Sequence, residues 1–191
     1  SIVSRVFLDN DGNGVFNEGD EAVPGARLRV NTGRPPQPSD ENGRIDLSNL
    51  STEQVTLVRL VEGSLSDPYW IPTIPSYEVM LRPGQSLSIG FPLVQSAEID
   101  GTVRIHDIQK ETTSDASNVL VELIDSANSV VQAVRTSYDG FYLFDQVKPG
   151  SYQVRISPDQ LIRLKLESPD IHDVALSGNC LLYTSPSPRD S

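Results

Sequence analysis

The sequence predicts an all-β chain folded as two tandem β-sandwich modules, and two observations lead there. The first is an internal repeat. The stretch Ser39 to Leu50, in which Asn42-Gly43 precedes Arg44-Ile45-Asp46-Leu47, aligns with Thr136 to Val147, in which Asp139-Gly140 precedes Phe141-Tyr142-Leu143-Phe144. The offset is 97 residues, and it also carries Val6 onto Val103. A period of that length is too long for a solenoid unit and suits whole domains in tandem. The second observation is texture. Short runs alternate at period two, carry β-branched and aromatic residues, and are bounded by Gly, Pro, Asn and Asp, as strands of a sandwich are.

The first module is expected over residues 1–95. Ile2 to Leu8 alternates and reads as a strand. It runs into Asp9-Asn10-Asp11-Gly12-Asn13-Gly14-Val15-Phe16-Asn17-Glu18-Gly19-Asp20. Oxygen-bearing side chains stand at loop positions 1, 3, 5, 9 and 12, with glycine at position 6. Calcium takes about 6–8 oxygen ligands from a loop folded back on itself, and this spacing supplies them. Asp9, Asp11 and Asn13, the Val15 carbonyl, Asn17 directly or through water, and Asp20 are the expected ligands. Asp20 stands where glutamate is usual, and its shorter side chain favours one-oxygen binding. Val23-Pro24-Gly25 follows and does not open the second helix of an EF-hand, so the loop is of EF type but set on a β-domain. The alternative is a polar Asx and glycine turn without metal. Further on, Tyr77 to Leu81 and Ser86 to Phe91 read as a terminal hairpin around Arg82-Pro83-Gly84.

The boundary is expected near Val94-Gln95-Ser96, and the second module over residues 96–179. Its expected strands are Ala97–Ile105, Val119–Ile124, Val130–Thr136, Phe141–Phe144, Ser151–Ile156 and Asp173–Leu176. One short helical turn is expected at Ser157 to Leu161, with Ser157 as cap and Pro158 in first position. This module has no metal loop: His106 to Asp115 lacks the glycine and the alternating ligands. A missing last strand would leave it with an unprotected edge. The tail, residues 180–191, contains Cys180-Leu181-Leu182-Tyr183-Thr184-Ser185-Pro186-Ser187-Pro188-Arg189-Asp190, which resembles the in-frame translation of a sequencing-library adapter. The expectation is a disordered tail, a native sequence ending near Asn179, and no thiol chemistry, since Cys180 is the only cysteine. With Ser1 first and Met80 the only methionine, the chain reads as a fragment of a longer protein.

Composition narrows the functional classes. Fifteen Lys and Arg against 26 Asp and Glu give a net charge of −11, which argues against nucleic acid and anionic membranes as partners. No apolar run reaches the roughly 18 residues of a membrane-spanning helix. His106 and His172 belong to no metal-ligand spacing. No nucleophile elbow, phosphate-binding glycine loop or HExxH pair occurs. Tyr69-Trp70, between Asp67-Pro68 and Ile71-Pro72, is the remaining candidate, either as an aromatic platform for a sugar or partner or as a plug in the end of the first sandwich. Asn49-Leu50-Ser51 matches the short glycosylation-acceptor pattern, a weak signal by itself.

Two family resemblances follow from these motifs. Gly101-Thr102-Val103, Val119 to Leu123, Ser137 to Phe144 and Val147-Lys148-Pro149-Gly150-Ser151-Tyr152-Gln153-Val154 occur in the order found in carboxypeptidase regulatory-like and Cna-B-like domains. The first module, with Val6-Phe7-Leu8, the loop Asp9 to Asp20 and Val23-Pro24-Gly25-Ala26, resembles the serine-aspartate-repeat B-type domains of bacterial surface proteins. These resemblances imply prealbumin-like (Ig-like) sandwiches, a cell-surface or secreted setting that is extracellular or periplasmic, and Ca2+ as the cofactor. Some Cna-B-like domains carry a Lys–Asn cross-link, but neither first strand here contains a lysine. The reading is a non-catalytic, calcium-stiffened spacer or adhesion module whose partners are neighbouring repeats and a host or matrix protein or glycan. The alternatives are a carbohydrate-binding accessory module using Tyr69 and Trp70, and a regulatory domain appended to an enzyme.

Overall fold

The computed structural model describes residues 1–164 and 172–176, so the expected tail lies outside the described residues. The chain divides into two compact units, Ser1–Gln95 and Ser96–Ser191. In the first unit, β1 (Ile2–Leu8) is the central strand of a five-stranded sheet. It pairs antiparallel with β2 (Glu21–Ala22) and β5 (Arg44–Leu47), and parallel with β9 (Leu87–Gln95), which pairs in turn with β7 (Trp70–Pro72). The facing sheet runs β4 (Gln37–Pro38), β3 (Arg27–Val30), β6 (Val55–Val61), β8 (Ser76–Met80), and a 3-10 turn at Glu62–Ser64 follows β6. Period-two alternation points Ile2, Val6, Leu28, Val58, Leu60, Ile89, Phe91 and Leu93 into the space between the sheets, where all are buried.

In the second unit, β10 (Ala97–Thr102) pairs antiparallel with β15 (Phe141–Val147). The other sheet runs β14 (Val130–Arg135), β13 (Leu120–Asp125), β16 (Gly150–Ile156), β17 (His172–Leu176), and α1 (Pro158–Leu164) starts with its proline in first position. Ile99, Val121, Leu123, Phe144, Val147 and Val154 form its core. A ribbon of β11 (Arg104–Asp107) and β12 (Thr112–Asp115) stands apart as a two-stranded sheet.

The repeat is written in the hydrogen bonds. In the first unit the Val6 N–H donates to the Gly43 carbonyl (2.8 Å) and the Val6 carbonyl accepts from the Val23 N–H (3.0 Å). In the second, the Val103 N–H donates to Gly140 (2.9 Å) and its carbonyl accepts from Ala116 (3.0 Å). The Ser39 hydroxyl donates to the Val23 carbonyl, and the Thr136 hydroxyl to the Ala116 carbonyl. Register agrees as well: Ile2 lies opposite Leu47 and Ser4 opposite Ile45, as Ile99 lies opposite Phe144 and Gly101 opposite Tyr142. One pair of equivalents differs in chemistry. The Ser4 hydroxyl is buried without a hydrogen-bond partner, whereas at Gly101 the Tyr142 ring occupies the space a side chain would need.

The structure departs from the sequence reading in three places. The expected hairpin around Arg82-Pro83-Gly84 is a crossover: β8 pairs with β6 in one sheet and β9 with β1 in the other. Leu81 is 2% exposed, and the connection passes from sheet to sheet around it because both strands must cover the same core. The strand expected over Ala97–Ile105 breaks at Val103, whose amide and carbonyl are taken by Gly140 and Ala116. Beyond Ile105, where no strand was expected before Val119, the chain forms the β11·β12 hairpin, turned by the Asp107 carboxylate accepting from the Gln109 and Lys110 amides.

Gly43 and Gly140 have φ of +69° and +81°, and a Cβ at either would drive into the carbonyl of Val6 or Val103. Gly33 has a similar φ of +75° with open space around it. Chemical denaturation should therefore show Gly33→Ala destabilising by about 1 kcal/mol, the conformational term alone. Gly43→Ala and Gly140→Ala should each cost more than about 2 kcal/mol, because backbone strain and collision add.

Candidate functional site

The loop Asp9 to Asp20 leaves β1 at the edge of the first core and returns into β2. Three glycines permit its path: Gly12, Gly14 and Gly19 have φ of +73°, +75° and +105°. Asp9 is the hub. It is 7% exposed, and its two carboxylate oxygens accept the Gly12 amide and the Gly14 amide, each at 2.8 Å. Asp11 accepts from the Asn13 amide (3.1 Å), the Asn13 side chain (2.7 Å) and the Asn17 side chain (2.9 Å). Asp20 closes the loop by accepting the Asn10 amide (3.0 Å) and the Asn17 amide (2.9 Å). The Asn13 side-chain oxygen accepts the Val15 amide at 2.6 Å.

One carboxylate oxygen from each of Asp9, Asp11 and Asp20 lies within 4.8 Å of the other two. Three acceptor-only groups this close repel one another, and loop amides oppose that repulsion. The sequence placed these three residues at positions 1, 3 and 12, and the fold brings them together. Asn13 and Asn17 lie against the same carboxylate, that of Asp11. Hydrogen bonds, first from Asn17 and then from Asn13, hold the Asp11 carboxyl below its ordinary value of 3.8.

Sequence reasoning missed the residue that seats the loop. Phe16 packs edge-on against Phe7 with ring centroids 5.4 Å apart, and the Arg5 guanidinium lies 4.4 Å from the Phe16 centroid. Phe7 points away from the core yet is 1% exposed, because Phe16 covers it. The available signal was the alternation of β1, which puts Phe7 on the outer face where an uncovered aromatic would be out of place.

The other candidates fall elsewhere. Trp70 is half-buried against the first core, while Tyr69 is 48% exposed with its amide bonded to Asp67. His106 shares a hydrogen bond with Thr113 across the β11·β12 ribbon. The side chain of His172 lies outside the described residues. Among the described residues, no helix is long and apolar enough to cross a membrane.

Comparison with known proteins bears on the second unit. Residues 104–168 match the family model of the SdrD B-like domain. That stretch of the second unit is similar to an SdrD B-like domain. The sequence motifs pointed to this family through the first unit and to carboxypeptidase regulatory-like or Cna-B-like domains in the second. Both units share the glycine turn and the pairing it sets, so those motifs do not separate them. No curated protein matches the chain. Three of the solved structures that align with it are of low identity. The Bacillus anthracis TIE protein is 14% identical with a TM-score of 0.35, over 93% of this chain and 31% of that one. GBS52, the minor pilin of Streptococcus agalactiae, is 9% identical with a TM-score of 0.40, over 93% and 90%. The shaft pilin SpaA from Lactobacillus rhamnosus GG is 9% identical with a TM-score of 0.36, over 93% and 93%. The chain thus spans under a third of the TIE protein.

The depressed Asp11 value has a sign that can be measured. Its carboxylate is favoured in the folded loop, so its contribution is present above pH 3.8 and is lost as pH falls through the lower folded value. Carbon-detected NMR of metal-free protein should place the Asp11 titration midpoint below 3.8, and Asn17→Ala should move it upward.

Proposed function

We propose that the chain is a non-catalytic segment of a bacterial cell-surface or secreted protein, in which tandem sandwiches serve as spacer and adhesion elements. The similarity of residues 104–168 to the SdrD B-like domain supports this reading. Its partners are neighbouring β-sandwich repeats and, at the exposed end of such an array, a host or matrix protein or glycan. A sugar platform built from Tyr69 and Trp70 is disfavoured, since the Trp70 ring packs on the core.

The first unit adds a calcium-binding loop. The supporting observation is the convergence of Asp9, Asp11 and Asp20 from positions 1, 3 and 12 of a loop whose sixth residue is glycine. Asn13, Asn17 and the Val15 carbonyl complete an all-oxygen donor set, which suits a hard cation that accepts flexible geometry. A bound calcium ion would supply the positive charge that cancels the repulsion among the three carboxylates. The chain's own residues do the rest. The Gly12 and Gly14 amides fix the Asp9 carboxylate, Asp20 ties the end of the loop to Asn10 and Asn17, and Phe16 anchors the loop to β1. Order in the loop is thereby passed to the central strand of the sheet.

Binding to the folded state alone adds RT ln(1 + [L]/Kd), about 2.7 kcal/mol at one hundred times Kd. Calorimetry of the full chain should show calcium raising the melting temperature of one transition and leaving the other in place. Asp9→Ala should abolish the shift, Asp107→Ala should not affect it, and magnesium should substitute poorly because it demands a tight octahedron. No shift at millimolar calcium would reduce the loop to a polar turn.

A further inference from the structure

The outer face of the first unit's larger sheet holds a charge arrangement that its own folding does not explain. Arg5 on β1 and Arg44 on β5 are direct cross-strand neighbours on the same face. Like charges in that position are destabilising. Arg44 is partly compensated by Asp46, 3.2 Å away. Arg5 has no carboxylate partner among the described residues; its guanidinium lies over Phe16. Both arginines line a groove with Val3 and Gly90 of the sheet and Val15 and Phe16 of the loop, above the buried Phe7. Gly90 keeps the floor low, since a Cβ there would stand 3.2 Å from the Phe7 ring. Val15 is 66% exposed at the rim.

The geometry points to this groove as a docking site for an extended polypeptide segment that carries an acidic side chain beside an apolar one. The carboxylate seats between Arg5 and Arg44, where it relieves their repulsion and makes charge-assisted hydrogen bonds to donors of fixed planar geometry. The apolar neighbour lies against Val15 and Phe16, which are 66% and 36% exposed. Charge complementarity favours an acidic segment: on a chain of net charge −11, two opposed arginines over an apolar floor are a local reversal of sign. A bare inorganic anion would satisfy the arginines and leave the apolar wall unused. The Phe16 contacts that form the groove's wall are made by protein atoms alone.

The test is an NMR titration of the isotope-labelled full chain, without calcium, with a blocked aspartyl-phenylalanine dipeptide. The expected result is saturable movement of the Arg5 and Arg44 side-chain Nε–H signals and of the Ser88 and Gly90 amides. The blocked asparaginyl-phenylalanine dipeptide should bind at least tenfold more weakly, as should the aspartyl probe to Arg44→Gln, with Arg44→Lys intermediate. Arg44 is a surface residue, and an unchanged amide spectrum elsewhere will show that the variants fold. Ser88→Trp, which fills the groove and keeps both arginines, should also remove binding. The proposal is overturned if the two dipeptides bind alike, if sodium sulfate produces the same shifts with the same affinity, or if Ser88→Trp leaves binding intact.

Discussion

Each unit is organised around one backbone contact that only glycine permits. The carbonyl of Gly43 accepts the Val6 amide, and that of Gly140 accepts the Val103 amide. In each case the glycine sits at positive φ, directly against the carbonyl of the residue it bonds. This contact fixes where the central strand meets its antiparallel neighbour, and with it the register that sends Ile2 and Leu47, or Ile99 and Phe144, into the core. A slip of one residue would turn every one of those side chains to the opposite face. The core in turn holds the ends of the connecting segment, Val6 and Val23 in one unit and Val103 and Ala116 in the other.

What lies between those fixed ends is free to differ, and there the two units diverge. In the first, the connection holds the carboxylate loop; in the second it is the short β11·β12 ribbon. The loop is a set of like charges held together by backbone amides and by one aromatic foot on the sheet. Its acidic side faces solvent, whereas Phe16 is spent on Phe7 and Arg5. Electrostatic repulsion and apolar seating therefore act on one short segment in opposite directions. A cation at the carboxylates would remove the first and leave the second, which is the physical content of stiffening in this module.

Much of the fold was legible because it is local or repeated. The Asn-Gly and Asp-Gly turns, the alternation of Ile2 to Leu8, and the offset linking Gly43 to Gly140 are written in neighbouring residues. The crossover at Arg82-Pro83-Gly84 was not, because a hairpin and a passage between sheets share the same turn chemistry, and only the needs of the distant core choose between them. The break at Val103 was hidden for the same reason: its partners, Gly140 and Ala116, come from other segments. At the loop, the spacing of Asp9, Asp11 and Asp20 announced their convergence. The roles of Phe16 and Arg5 required knowing that β1 presents Phe7 on its outer face. Tyr69 and Trp70 show the converse, since adjacency in sequence did not give them a common environment.

The central claim is that one unit has its order tied to a divalent cation through the loop between Val6 and Val23 and that the other does not. Amide hydrogen exchange on the full chain, with calcium and with chelator, addresses it residue by residue. The account predicts that calcium slows exchange at the Gly12, Gly14, Val15 and Asn17 amides and along β1, with no change in the equivalent turn at Ser137 to Phe141 or in the β11·β12 ribbon. Identical exchange under the two conditions, or equal slowing in both units, would contradict it.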